Sequence, residues 1–430
     1  MPTILQFTDL HVRVNLPGHN GHLNRLSRHL PALMEELAHR VAEESPDLVL
    51  VTGDLIDGPH TLDRYAGGDA FAMYRDAAIA DYAYVRKWLE ALERPWMILP
   101  GNHDDPQGFA HVFGDRPRSG TVGDIAVHMF HDWEIEGHQA QRVGEERIRF
   151  ERIMDAAKPS TREVHIQHYV VRPVVEYGYP LNYRDADELA ARLTQAPGHR
   201  LVLSGHWHGG TPLTVIGQAT FSVCPSFTEP PHPYRIYTTD DGRDWTMQEK
   251  SLGWRIGAGK PLIIVDRAGI LSDGASGDAV LSMRSGAGAL MQGLARLGTV
   301  VVATGWDEPD ATAQRWSGIQ ALHDDFFARL ARAGGAADAM AIYLSEHSNV
   351  QRSLPAERIC LDTDLVSGVG TTFGVEPMNT VFISTDPGRR HAAAERGAAT
   401  VEANDGVDVA ALIAMTAAAL KSRERADSAS

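Results

Sequence analysis

Short apolar runs punctuate the first 210 residues, and each stops at a cluster of polar side chains. Ile4 to Phe7, Leu48 to Val51, Trp96 to Leu99, Val164 to Ile166 and Arg200 to Leu203 read as buried strands. Between the first two, Leu26, Leu30, Leu33, Met34, Leu37 and Val41 recur at helical spacing and predict a helix over 24–44, ended by Ser45-Pro46-Asp47. Further helices are predicted over 70–92, 145–157 and 185–194. Residues 105–125 read as loop and edge strand, 125–130 with 133–136 as a hairpin, and 211–249 as sheet and turn. Strands alternating with helices predict neighbouring strands joined by crossovers.

Beyond residue 250 the texture changes. Residues 251–260 read as a Gly-containing linker, after which Ala and Gly dominate and lysine vanishes until Lys421. Pro261 to Asp266, Val300 to Thr304 and Thr380 to Asp386 read as strands. Helices are predicted over 322–333, stopped by Gly334-Gly335, and from Arg389 to Arg396. This alternation predicts a parallel, doubly wound sheet. The expected division is a first domain over 1–250, the linker, a second domain over 261–420 and a frayed polar tail over 421–430.

Composition narrows the function. The 430 residues are 43% hydrophobic and 22% charged, enough for two or three globular domains. A formal net charge of -16 argues against extended nucleic-acid binding and against anionic membranes. It leaves room for a small phosphorylated substrate, because bound cations reverse the field within one pocket. Cys224 and Cys360 read as reduced thiols. No secretory signal opens the chain, and no apolar run approaches the ~20 residues of a membrane span, so a cytoplasmic protein is expected.

The polar clusters share a chemistry. Asp9 and His11 follow the first strand, Gly53-Asp54 the second, and Gly101-Asn102-His103-Asp104 the third. His168 follows the fourth, and Gly205-His206-Trp207-His208 the fifth. Open α/β sheets place ligands at the carboxyl ends of strands. Residues i and i+2 of an extended segment point the same way, so Asp9 with His11, and His206 with His208, are expected to project together. His165 and His168 cannot share a face; His168, at the exit, is the site residue, and His165 packs inside. Asp57 reads as a surface or supporting residue. Oxygen and imidazole donors without thiolate suit Mn, Fe, Zn or similar divalent ions. Seven donors exceed what one catalytic ion with open positions uses, and suit two ions, ~3.5–4 Å apart, sharing a carboxylate. Such a pair activates water and clamps phosphoryl charge, and the spare imidazole of His103 is placed to protonate a leaving oxygen.

The succession D-x-H, G-D, G-N-H-D, H, G-H-x-H resembles the calcineurin-like metallophosphoesterase family over residues 1–250. The resemblance implies a four-layer αββα sandwich. It implies Asp9, His11, Asp54 and His208 around one metal, and Asp54, Asn102, His168 and His206 around a second, with Asp54 bridging. His103 would be the outer acid and Asp104 its orienting partner. The short spacings and the helix after the first motif are similar to the bacterial cyclic-nucleotide phosphodiesterase branch. That branch carries H-H-P-P where this chain reads His168-Tyr169-Val170-Val171, which changes the wall facing a substrate.

Residues 261–420 resemble the haloacid dehalogenase superfamily, most nearly its sugar-phosphate and histidinol-phosphate phosphatases. The likeness puts Asp266 at the nucleophile's position, Thr304 at the phosphate-binding hydroxyl and Asp386 at a magnesium carboxylate. The general acid two residues on is replaced by Ala268. No lysine lies between Lys260 and Lys421 to clamp phosphate; Arg352 or Arg358 would have to serve, and Arg and Lys are not interchangeable. Loss of the acid costs typically 10²–10⁴-fold. The second domain is therefore expected to be degenerate, serving packing, homo-oligomer contacts or the shape of the first site.

The expected function is a two-metal phosphoester hydrolase. It would act on a small phosphomonoester or phosphodiester, such as a nucleotide or sugar phosphate, by in-line attack of a metal-bridged hydroxide. The rivals are a bifunctional phosphatase with both domains active and a non-catalytic metal-binding scaffold. His103, which metal binding alone does not need, favours the enzyme.

Overall fold

The computed structural model describes residues 2–16, 25–58, 69–135, 139–176, 179–252, 260–273, 282–305, 326–327, 329–330, 332–335, 337–344, 360–361, 364–404 and 408–427. The chain forms two compact units. One comprises Met1–Leu16, Leu30–Gly58 and Gly68–Gly253; the other comprises Pro17–His29, Pro59–Gly67 and Trp254–Ser430.

The first unit carries β1 (Thr3–Phe7), β2 (Leu48–Thr52), β3 (Trp96–Leu99), β4 (Ser119–Val122), β5 (Ile125–Met129), β6 (Trp133–Glu134) and β7 (Ala140–Gln141). These are followed by β8 (Arg162–Ile166), β9 (His199–Ser204), β10 (Thr211–Ile216), β11 (Ala219–Val223), β12 (Pro233–Thr238) and β13 (Thr246–Ser251). Its helices are α1 (Leu30–Glu44), α2 (Asp69–Ala91), α3 (Pro106–Phe113), α4 (Gly144–Ala156) and α5 (Ala186–Gln195). One sheet runs β13-β12-β1-β2-β3 and the other β10-β11-β9-β8-β5-β4. Ile4, Leu48, Leu50, Met97 and Leu99 of the first pack with Val127, Val164, Ile166, Leu201 and Leu203 of the second. Burial of these faces drives the sheets together. A polar pin crosses this core: Gln6 Nε2 donates to Thr52 Oγ1 and to Ser204 O, and Tyr237 OH donates to Gln6 Oε1.

Three local expectations fail here. Residues 106–113 are helix α3 rather than loop; Asp105 caps it by accepting from Gly108 N at 2.6 Å, and Pro106 occupies its first turn. Strand β5 pairs with β4 and β8, whereas β6 pairs with β7. Helix α1 starts at Leu30, six residues later than its apolar spacing predicts.

The second unit is a parallel sheet of β14 (Leu262–Asp266), β17 (Thr299–Gly305), β18 (Ala339–Leu344), β19 (Cys360–Leu361), β20 (Thr380–Ser384) and β21 (Ala399–Glu402), with a short ribbon of β15 (Ser272–Asp273) and β16 (Ser282–Met283). Its order, β19-β18-β17-β14-β20-β21, reverses direction beside β14. Ile263, Val265, Val300 and Val302 face one core with Leu290 and Met291 of the helix Ala287–Ala295. Leu262, Ile264, Val301 and Ala303 face another with Val366 and Val369 of the helix Leu365–Phe373. Both faces are covered, which explains strands that read as continuous apolar runs. Strands β18, β19 and β21 were not anticipated, and the helix Val409–Asp427 continues into the tail expected to fray over 421–430. Arg352, Arg358, most of the expected linker and part of the expected 322–333 helix lie outside the described residues. No helix among the described residues is long and apolar enough to cross a membrane.

Candidate metal centre

The carboxyl ends of β1, β2, β3, β8 and β9 supply the first unit's polar cluster. The exits are not extended. Asp9 (φ 53°), His11 (φ 47°), Asp54 (φ 51°) and His206 (φ 68°) all adopt left-handed backbone, a conformation costing non-glycine residues on the order of 1–3 kcal/mol. This corrects the reason given above for pairing Asp9 with His11, and His206 with His208. Curled backbone, not strand alternation, aims these side chains. The curls are zipped together, Asp9 N donating to Gly53 O at 3.0 Å and His11 N to Asp54 O at 2.8 Å.

Three groups of close donors result among the described residues, His11 with Asp57 and His103 being one, and the other two are built from the sequence-derived donors. In the first of these two, Asp9 Oδ1 lies 3.4 Å from His208 Nε2 and 4.0 Å from His11 Nε2. In the second, His168 Nε2 lies 3.4 Å from Asp54 Oδ2 and 3.1 Å from Asn102 Oδ1, with His206 completing the set. Asp54 Oδ2 is also 3.7 Å from His11 Nε2, so one buried oxygen faces both groups. The seven sequence-derived donors, Asp9, His11, Asp54, Asn102, His168, His206 and His208, thus meet at one strand-end cluster. His206 and His208, two residues apart, belong to different groups.

These donors fit divalent cations. Two donors each ~2.0–2.2 Å from one ion stand about 3–4 Å apart, the range seen here. Asp9 Oδ2 accepts from Thr8 Oγ1 at 2.7 Å and from His206 N at 3.1 Å, whereas buried Asp9 Oδ1 accepts no hydrogen bond. His168 Nδ1 donates to Thr52 O at 2.7 Å, which fixes the Nε2 lone pair toward Asp54. His208 Nδ1 donates in the same way to Glu229 Oε1. Partners of this kind set the tautomer and orientation of ligating imidazoles.

Glycine makes the space. A Cβ on Gly101 would stand 2.2 Å from Asp54 Oδ1, and one on Gly53 2.3 Å from His168 Nδ1. Charge is arranged accordingly. Burial opposes ionisation of Asp9 and Asp54, yet His208 and His168 respectively outweigh it and hold both carboxyls below their usual range. Burial likewise opposes charge on His168, but Asp54 lifts it to about 9, so a cation taking the Nε2 lone pair would displace a proton there. The carboxylates stand ionised, as cation binding requires.

Sequence reasoning places Asp57 as a surface or supporting residue and misses Arg13 and Glu229. Asp57 is fully buried rather than at the surface, because Arg13 Nε binds its Oδ2 at 3.0 Å. Its Oδ1 faces His11 Nδ1 at 3.6 Å and His103 Nδ1 at 4.0 Å. The spacing Asp54-Leu55-Ile56-Asp57 was the available signal. Glu229, beyond a turn, had none. Asp104 does not fill the orienting role expected of it. Its carboxylate accepts from Gly101 N at 2.8 Å and Leu55 N at 3.1 Å, tying two loops together, and burial with the nearby Asp54 pushes it up to about 7. The carboxylate facing the His103 ring is Asp57. His165 is buried elsewhere, bonded to Glu163 Oε2 at 3.1 Å and stacked on Phe130.

In the second unit, the expected residues are otherwise engaged. Asp266 Oδ1 accepts from Tyr343 OH at 3.1 Å, and Oδ2 accepts from Ser384 Oγ at 2.8 Å and Arg389 Nη1 at 3.0 Å. Thr304 Oγ1 accepts from Arg267 Nε at 2.9 Å. Asp386 caps the helix Pro387–Glu395 through Arg389 N at 3.0 Å. Among the described residues, every group able to hold a metal lies in the first unit.

Residues 2–210 match the model of the calcineurin-like phosphoesterase family. A probable cyclic nucleotide phosphodiesterase of Synechococcus sp. is 26% identical over 262 residues, covering 57% of this chain and 91% of that protein. A dimetal phosphatase of Danio rerio has 14% identity and a TM-score of 0.41, covering 58% of this chain and 96% of its own. The phosphopantetheinyl hydrolase of Mycobacterium tuberculosis has 14% identity and a TM-score of 0.32, covering 52% and 90%.

Proposed function

We propose that this chain, a metal-dependent phosphoester hydrolase carrying a calcineurin-like phosphoesterase domain, cleaves a small phosphomonoester or phosphodiester such as a nucleotide or sugar phosphate. The observation that carries the reading is Asp54 Oδ2, buried between two donor groups at 3.4 and 3.7 Å. Asp9, His11, Asp54 and His208 would hold one ion, and Asp54, Asn102, His168 and His206 the other. Two bound Mn, Fe, Zn or similar ions supply Lewis acidity to the phosphoryl group and acidify water for in-line attack.

The protein's own groups do the rest. His103, almost wholly buried and backed by Asp57, delivers a proton to the departing oxygen. Tyr169 and Tyr179 pack against His206 at 4.9 and 5.8 Å and wall the site from water. The acidic surface, with a net charge of -16, favours small esters over polymers. The relative named as a cyclic nucleotide phosphodiesterase supports a nucleotide diester within that class. The second unit, read as a haloacid dehalogenase-like domain, serves packing or homo-oligomer contacts and not phosphoryl transfer, since Asp266 is taken up by Arg389, Ser384 and Tyr343.

The test is a screen of the manganese-loaded protein on chromogenic mono- and diesters, nucleotides and sugar phosphates. Hydrolysis lost on chelation and restored by manganese is expected. His103→Asn should keep the bound metal while losing roughly 10²–10⁴-fold in turnover. A metal-loaded protein that cleaves no ester would establish the scaffold reading instead.

A further inference from the structure

We propose that the cavity between α3, the β6–β7 ribbon and the start of α4 is a second ligand site, built for a small planar aromatic anion. It encloses about 330 Å³ within the first unit, inside the ~300–1,000 Å³ range of small-molecule pockets. Phe109 and Phe113 line it from α3, and Trp133 and Ile135 from the ribbon. The two phenylalanine rings lie 5.1 Å apart, and His131 meets Phe109 edge-on at 5.6 Å. Rings around a gap of this size suit a flat apolar body.

The polar lining gives the sign of the guest. Arg116 Nε and His131 Nε2 are buried nitrogens with no hydrogen-bond partner among the described residues. Arg116 lies over the Trp96 ring at 3.9 Å, and its Nη2 reaches the Trp96 carbonyl at a long 3.4 Å. No carboxylate among the described residues lies within ion-pair distance of it; the adjacent Asp115, which feels its charge, is held by Arg86. The nearby buried acids are already engaged, Glu146 by Arg118 and Arg149, and Asp132 by Arg142. Glu145 stands exposed on the first turn of α4. Burial, with Arg118 and Arg149, pushes His131 down to about 3, so at neutral pH it offers a hydrogen bond without charge. Arg116 is then the cation that recognises an acid group, while the rings hold the body. Inorganic phosphate would leave the aromatic lining unused.

The site does not depend on the hydrolase reading, and its test is run with chelator present. Anilinonaphthalene sulfonate, an aromatic anion of suitable size, is titrated into the full chain and followed by fluorescence. One saturable site per chain is expected. Arg116→Gln should weaken binding about tenfold or more, the scale of a charge-assisted contact. Arg116→Lys, which keeps the charge but not the planar fork, should lose less than Arg116→Gln, and Ala110→Trp, which fills the cavity, should abolish binding. Melting curves identify folded variants; should Arg116→Gln not fold, the Ala110→Trp and Arg116→Lys pair decides. Absence of saturable binding, or wild-type affinity in folded Arg116→Gln or Ala110→Trp, overturns the proposal.

Discussion

Two buried aspartates stand at strand carboxyl ends in this chain, and their surroundings differ. Asp54 follows β2, and its Oδ2 faces His168 Nε2 at 3.4 Å and His11 Nε2 at 3.7 Å. Those separations are long for hydrogen bonds and suited to donors around an ion. Asp266 ends β14 beside the point where the sheet order reverses, the usual ligand position of such sheets. Both its oxygens are already bonded, with Arg389 as a tethered cation at 3.0 Å. Position within a fold nominates a carboxylate for chemistry; its immediate partners decide whether it is available.

The sharpest break of this contrast is a matched pair of substitutions. Asp54→Ala should cut manganese-dependent ester hydrolysis by about 10³-fold or more, because it removes the group shared by both donor sets. Asp266→Asn should change the same rate by less than about twofold, within the scatter of substitutions away from a site. Comparable losses in both would return the bifunctional reading.

Next in size is Gly101→Ala. The added methyl group would stand 2.2 Å from Asp54 Oδ1. A displacement of this kind should cost about 10²-fold in kcat/KM with the fold kept, as read by circular dichroism beside the rate. In the second unit the corresponding stress is Arg389→Ala, which removes the cation from buried Asp266 and leaves it only the Tyr343 and Ser384 hydroxyls. A loss of about 2–3 kcal/mol is expected in urea unfolding, with hydrolysis unchanged. Asp266→Asn in the same background should recover part of that stability.

The smallest effect is one of pH, and it acts on the first unit. Burial holds His165 down at about 4, below its ordinary 6.5, even with Glu163 beside it. The unfolded chain therefore takes up a proton that the folded chain refuses. Its stabilising share is full above pH 6.5 and falls away as pH drops toward 4, by on the order of 1–3 kcal/mol. His165→Phe, which retains the ring stacked on Phe130, should flatten that part of the stability profile.

How far could the sequence be read? The first unit's donors were legible because each follows an apolar run, and burial of those runs forces their exits to one edge. The geometry joining them was not. Asp9, His11 and His206 take left-handed backbone that costs energy locally and is imposed by tertiary bonds such as Asp9 N to Gly53 O. Asp57 reads as a surface or supporting residue because nothing local announces Arg13 as its partner. Glu229 meets His208 across a 21-residue separation. Helix α3 was readable from its Asp105-Pro106 start. In the second unit, three strands were legible as apolar runs. Arg389, the residue that most restrains Asp266, lies 123 positions away and carried no motif.

The bond from His206 N to Asp9 Oδ2 spans 197 positions of the chain. A centre assembled over such distances needs both sheets of the first unit in place. Any cation held there would favour the native over the unfolded state by mass action. Metal supply would then govern how long the protein survives as well as how fast it works.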